Sequence, residues 1–210
     1  MRRFVLCLLL SGCSTTGRPI DSHPPPQVGE PAPKLEDGSA ESAYQDVLKQ
    51  YSQQAELYAG TMGGEDTRMF CAATFQSGPY REARVRRTGA FRAEPAAEID
   101  QKIAAEKAEA DQFDEFFFAA HLVDYRFDDF DKHHSVWRIA LVGDGVEETP
   151  VLVERVGRAT VDMRAIYPYL GDFWAGYRIK FPKLAQGRGA QLKLRLASTL
   201  GKVELTFPAN

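Results

Sequence analysis

Apolar residues return at helical spacing in one stretch near the start of the chain, and at a spacing of two through most of its second half. From Ala40 to Ala59, Tyr44, Val47, Leu48, Tyr51, Ala55 and Tyr58 follow the helical period, while Glu41, Gln45, Lys49, Gln53 and Glu56 fill the rest of the wheel. This pattern predicts an amphipathic helix over about 40–59, ended by Gly60, Gly63 and Gly64. Its tyrosine stripe, Tyr44, Tyr51 and Tyr58, suits packing on the protein's own sheet. A second helix is expected over about 95–111, with Pro95 in a first-turn position and Glu98 one turn before Lys102. Ile99 and Ile103 are its only large apolar residues, so it belongs on the surface.

From Phe113 onward the period is two. Trp137, Ile139 and Leu141 alternate with Arg138 and Ala140; Tyr177, Ile179 and Phe181 with Arg178 and Lys180; Leu192, Leu194 and Leu196 with Lys193 and Arg195. Such alternation predicts half-buried antiparallel strands. Val203, Leu205 and Phe207 continue it, and a turn at Gly201 joins the last two strands as a hairpin. Phe116 to Val123 is apolar on both faces and should be a central strand. With 67–76 and Val151 to Val156, about seven strands result. The expected fold is mainly β with accessory α: an immunoglobulin-like antiparallel β-sandwich built from about 67–76 and 113–207, carrying the two helices. A barrel satisfies the same alternation.

The opening residues follow neither period. Met1-Arg2-Arg3 precedes an apolar run from Phe4 to Leu10, which closes on Ser11-Gly12-Cys13: a charged region, an apolar region and a cleavage site. That run is far shorter than the roughly 20 residues a membrane-spanning helix needs. Pro19, Pro24, Pro25, Pro26, Pro31 and Pro33 then mark a stretch with too few large side chains to pack, which reads as a semi-rigid tether.

Leu10-Ser11-Gly12-Cys13 resembles the lipobox of bacterial lipoproteins. The resemblance implies cleavage before Cys13, diacylglycerol on its sulfur and a fatty acid such as palmitate on the new N-terminus. Ser14, where an Asp favours the inner membrane, implies the outer membrane. The expected organisation is a signal peptide over 1–12, a lipidated proline-rich tether over 13–39 and one globular domain over 40–210. Gly64-Glu65-Asp66-Thr67-Arg68-Met69-Phe70 after the first helix also resembles a stretch of bacterial envelope lipoproteins of unknown function, and implies no activity.

Composition agrees with a globular domain, at 44% hydrophobic and 26% charged residues. Without residues 1–12 the chain has 24 basic against 29 acidic residues, which disfavours a nucleic-acid partner. Cys7 leaves with the leader and Cys13 takes lipid. Cys71, within the apolar run Met69 to Phe75, is then expected to be a small buried hydrophobe rather than a nucleophile.

Three segments bear candidate chemistry. Asp124, Asp128, Asp129, Asp131, His133 and His134 crowd a short span between strands, so Asp128, Asp131, His133 and His134 are metal candidates. Their spacing matches neither a calcium loop nor a zinc helix, and Phe127 and Phe130 suggest a loop pinned to the core. Tyr167, Tyr169 and Trp174 surround loop-forming residues and would make a stacking platform if exposed, or a plug at the end of the sandwich if buried. Tyr80 to Arg87, with Arg92, is strongly basic; it would meet anionic headgroups or glycans unless Glu82, Glu94 and the acidic second helix neutralise it. No catalytic motif, phosphate loop or dinucleotide fingerprint occurs, so no catalytic residue and no cofactor is assigned. The expectation is a membrane-anchored, non-enzymatic envelope module meeting another envelope protein or a glycan. Its rival is a metal-dependent or hydrolytic enzyme using the Asp128 to His134 region.

Overall fold

Helix α1, Gly38–Tyr51, forms where the apolar stripe predicts, and it buries Tyr44, Leu48 and Tyr51. The computed structural model describes residues 38–61, 64–183 and 189–209; the expected signal peptide over 1–12, Cys13 and all but the last two residues of the expected tether over 13–39 lie outside the described residues. The helix stops well short of 59. From Ser52 the chain becomes strand β1, Ser52–Thr61, paired antiparallel with β2, Gly64–Phe75. Ser52 lies opposite Thr74 and Thr61 opposite Gly64, so Gly60 and Gly64, expected to end a helix, lie on paired strands instead. Pairing with β2 overrides the local helical period because it buries alternate residues: Leu57 enters the core at 4% exposure while Tyr58 is left at 49%.

Helix α2, Gly78–Phe91, occupies the basic stretch, for which the pattern predicted no element. Its start is marked by Ser77, whose side chain accepts from the Tyr80 N–H, and by Pro79 in the first turn. The helix escapes a periodicity test because Arg81 takes an inward position between Tyr80 and Val85. Helix α3, Ala96–Ala110, agrees with the expected surface helix and buries only Ile103 and Ala110.

Strand β3, Phe113–Leu122, follows, then β4, Arg138–Val142, the short β5, Glu147–Glu148, and β6, Leu152–Arg158. A short helix α4, Val161–Ile166, leads to β7, Ala175–Pro182, and the chain closes with the hairpin of β8, Gln191–Ser198, and β9, Gly201–Pro208. Two antiparallel sheets result, one of order β1-β2-β3-β7-β6 and one of order β5-β4-β8-β9. β3 is the central strand of the first, as its two apolar faces required. One of those faces carries Phe116 and Phe118 into a core shared with the second sheet, where the Phe116 and Phe207 rings lie 5.2 Å apart.

β9 runs beside β1, and Gly201 with φ +136° allows it: a Cβ there would stand 2.8 Å from the Leu57 Cδ1. Helices fill the chain between β2 and β3, and two sheets of five and four strands replace the seven strands counted from sequence. The architecture is therefore mainly β with accessory helices.

Candidate functional site

The aromatic segment after α4 turns most of its rings inward. Tyr167 is 6% exposed and stacks on Phe117 at 3.8 Å with an interplanar angle of 5°. The Tyr169 hydroxyl meets Thr74 Oγ1 at 2.8 Å, and burial pushes its pKa well above the ordinary phenol value. Trp174 is half-buried, with ring atoms 2.8 Å from where a Cβ on Gly171 would sit. Tyr167, Tyr169 and Trp174 therefore do not stand side by side as an exposed platform. The ring that this segment does present to solvent is Phe173, at 74% exposure.

The acidic loop is likewise a structural element. Phe130 and Trp137 are buried against each other, and the Trp137 Nε1–H donates to the Phe127 carbonyl at 2.8 Å. Asp128 accepts from the Tyr177 hydroxyl and, at 2.7 Å, from Arg155 Nη2. Asp129 accepts from Ser135 Oγ and the Val136 N–H, and Asp124 caps the Tyr125–Phe127 turn. His133 and His134 are exposed and touch each other edge to face, while one Asp131 oxygen is buried without a hydrogen-bond partner. Among the described residues no group of three or more His, Cys, Asp or Glu side chains is placed to hold a metal ion, so the loop does not bring Asp128, Asp131, His133 and His134 round one centre.

Cys71 is fully buried, its thiol 3.5 Å from the Ala55 carbonyl oxygen, and burial pushes its pKa up to about 12. A thiol so held is not a nucleophile at neutral pH.

The basic stretch is folded against acids. Arg81, only 2% exposed, donates from Nε to the Gln76 carbonyl at 2.8 Å, from Nη1 to Glu106 at 2.6 Å and from Nη2 to Glu115 at 2.8 Å. Arg84 bonds Glu106 and Gln76, Lys180 bonds Glu109, and Arg87 bonds Glu41 while lying over the Tyr44 ring. Burial opposes the Arg84 charge, but Tyr167, Glu106 and Tyr80 around it outweigh that and hold its pKa above the ordinary value. Arg81, Arg84 and Arg87 thus join α2 to α1, α3 and β3, and Arg86 pairs with Glu82 of its own helix, so the basic stretch meets acids of the same protein.

What this frame builds is a cleft of about 520 Å³ on the outer face of the five-stranded sheet. Its floor is Phe117 from β3, with Met163 and Ile166 of α4 alongside. Polar groups line the rest: Arg84, Glu115, Glu154, Asp162 and Arg178. Glu154 accepts from Arg178 Nε at 3.1 Å, and that bond raises the Arg178 pKa. Glu115 accepts from Arg81 and lies 3.6 Å from Lys180.

α4 is held over the sheet by the Tyr44 hydroxyl, which donates to the Ile166 carbonyl and lies 3.3 Å from the Tyr80 hydroxyl. It sits close because β7 offers Gly176, where a Cβ would meet Met163 Cε at 2.7 Å and Phe117 Cζ at 2.9 Å. Of the cleft's residues, the candidate segments read from sequence contained Tyr167 and, within the basic stretch, Arg84. Arg178 was legible as an outward-facing strand residue, but nothing in the chain's linear order joins it to Arg84 or Met163.

Comparison with protein-family models, with curated proteins and with solved structures finds no match to this chain. Among the described residues no helix is long and apolar enough to cross a membrane.

Proposed function

We infer that the chain is a lipid-anchored lipoprotein of the bacterial cell envelope, held at the outer membrane through acyl chains on Cys13. Its β-rich domain is a non-enzymatic module that binds an envelope component in the cleft between α4 and the five-stranded sheet. The observation that supports binding is the state of the charges there: Glu154 is committed to Arg178, and Glu115 to Arg81 and Lys180. Carboxylates locked in ion pairs offer fixed polar contacts beside the apolar floor, but they are poorly placed to exchange protons with a substrate. The anchor is supported by the Leu10-Ser11-Gly12-Cys13 sequence and the prolines after it. One acyl chain holds a protein only marginally, and the several chains of a lipidated cysteine hold it firmly. The domain's two antiparallel sheets, with strand alternation and turns such as Gly143-Asp144-Gly145, support an immunoglobulin-like sandwich.

Cys13→Ser tests the anchor by fractionation. The natural chain is expected in membranes with an acylated Cys13 at its N-terminus by mass spectrometry, and the variant in the soluble fraction. A variant that stays with membranes in unchanged amount, or a mature N-terminus elsewhere, overturns the reading. A photocrosslinking residue at Val156, on the cleft, should label an envelope component that the same residue at Glu148 does not. Equal labelling from both positions would remove the cleft from the account.

A further inference from the structure

Tyr125 at 83% exposure and Phe173 at 74% are the most exposed large aromatic side chains of the described residues. They come from separate loops, one after β3 and one before β7, yet both line a second, smaller cleft of about 230 Å³. Two rings left in water at the same place forgo on the order of 1.5–3 kcal/mol of burial each, which calls for a partner that covers them.

Beside apolar residues such as Leu122 and Val123, that cleft carries a polar wall of His121, Asp128, Arg155 and Arg158. The Arg155 and Asp128 pair forms part of its lining and is held in place by the Tyr177 hydroxyl, while His121 stands 6.4 Å from the Phe173 ring. Arg158, also on the cleft, is exposed and has no carboxylate partner within 4.0 Å among the described residues. An apolar ligand would strand these groups. A pyranose ring satisfies both kinds of wall, because its C–H face stacks on an aromatic ring while its hydroxyls take hydrogen bonds in fixed directions. The unpaired guanidinium of Arg158 adds a preference for negative charge.

The geometry points to a saccharide-binding site at Tyr125, Phe173 and Arg158, selective for a sugar that carries a carboxylate. The site shares Arg155 with the larger cleft, but its two rings and Arg158 belong to the smaller one alone. Its occupant lies across the two rings with its carboxylate on Arg158 and its hydroxyls toward Asp128 and Arg155. Two sources offer this chemistry, a uronic acid and a sugar bearing a lactyl ether, and they are distinguished by supplying each.

The test is titration calorimetry of the full chain in detergent with a uronate tetrasaccharide, a muramyl disaccharide, and the carboxyl-reduced counterpart of each. At least one acidic sugar should bind, and bind roughly fivefold more tightly than its reduced form, the worth of one partly exposed charged hydrogen bond. Arg158→Gln should abolish that preference, and Phe173→Ala should weaken binding of both forms about fivefold. These side chains are exposed, so the variants keep the fold, which circular dichroism verifies. Absence of binding by both acidic sugars, equal affinity for acidic and reduced forms, or full affinity in Phe173→Ala overturns the proposal.

Discussion

Replacing Arg81 with methionine should cost this domain more than any other single charge removal. The guanidinium is 2% exposed and joins three elements at once, through Gln76 before α2, Glu106 of α3 and Glu115 of β3. Methionine fills much of the same volume, so the cavity contribution is small and the loss is electrostatic. Glu115, with a side chain only 13% exposed, then keeps Lys180 alone, at 3.6 Å. Removing one partner of a buried, hydrogen-bonded ion pair costs about 3–5 kcal/mol. Glu106 retains Arg84 and Glu109 retains Lys180, which places the expected loss near the lower end, at about 3 kcal/mol.

The control is Arg86→Ala. Arg86 pairs with Glu82 across one helical turn, at side-chain exposures of 52% and 31%, and such a pair contributes roughly 0.3–0.5 kcal/mol. Urea unfolding followed by circular dichroism reads both variants. At roughly 2–4 °C per kcal/mol, Arg81→Met should lower the melting temperature by about 6–12 °C. Arg81→Lys should recover little, since one ammonium cannot fork to both glutamates. If Arg81→Met proved as mild as Arg86→Ala, the claim that this buried charge organises the helices against the sheet would be wrong.

Gly176→Ala places a methyl group 2.7 Å from Met163 Cε and 2.9 Å from Phe117 Cζ, so it should destabilise by about 1–3 kcal/mol in the same assay. Met163→Ala in combination should restore part of the loss, and failure to do so would mean the contact with α4 is not the cause. Burial pushes the Cys71 thiol and the Tyr44 phenol each up to about 12, so both bind their protons more tightly folded than unfolded. Their stabilisation is complete below the unfolded values of 9.0 and 10.0 and is lost as pH rises toward about 12. Urea midpoints should therefore fall steadily above pH 9, and a flat profile to pH 11 would contradict the burial of these groups.

The alternating segments were legible because a strand's two faces meet different surroundings, and that difference is written every second residue. β3, β4, β7, β8 and β9 lie where alternation put them, and Phe116 to Leu122 occupies the centre of its sheet because both its faces are apolar. Local pattern failed where a distant partner decided the outcome. Ala55 and Tyr58 fit a helix until β2 offers antiparallel pairing to Ser52–Thr61, with a register shift between Leu57 and Tyr58. Arg81 reads as a solvated charge until Glu106 and Glu115, far along the chain, make burial tolerable. The aromatic segment told that rings would cluster there, but only packing decided that Tyr167 is buried on Phe117 and Phe173 stands in water.

From sequence alone come most of the strands, and the proposal of a lipid anchor at Leu10-Ser11-Gly12-Cys13, since each depends on the character of neighbouring residues. The two clefts belong to the tertiary structure. Each gathers side chains from three or more elements, and the free energy that places them there is spent on ion pairs and ring contacts between residues with no pattern in common.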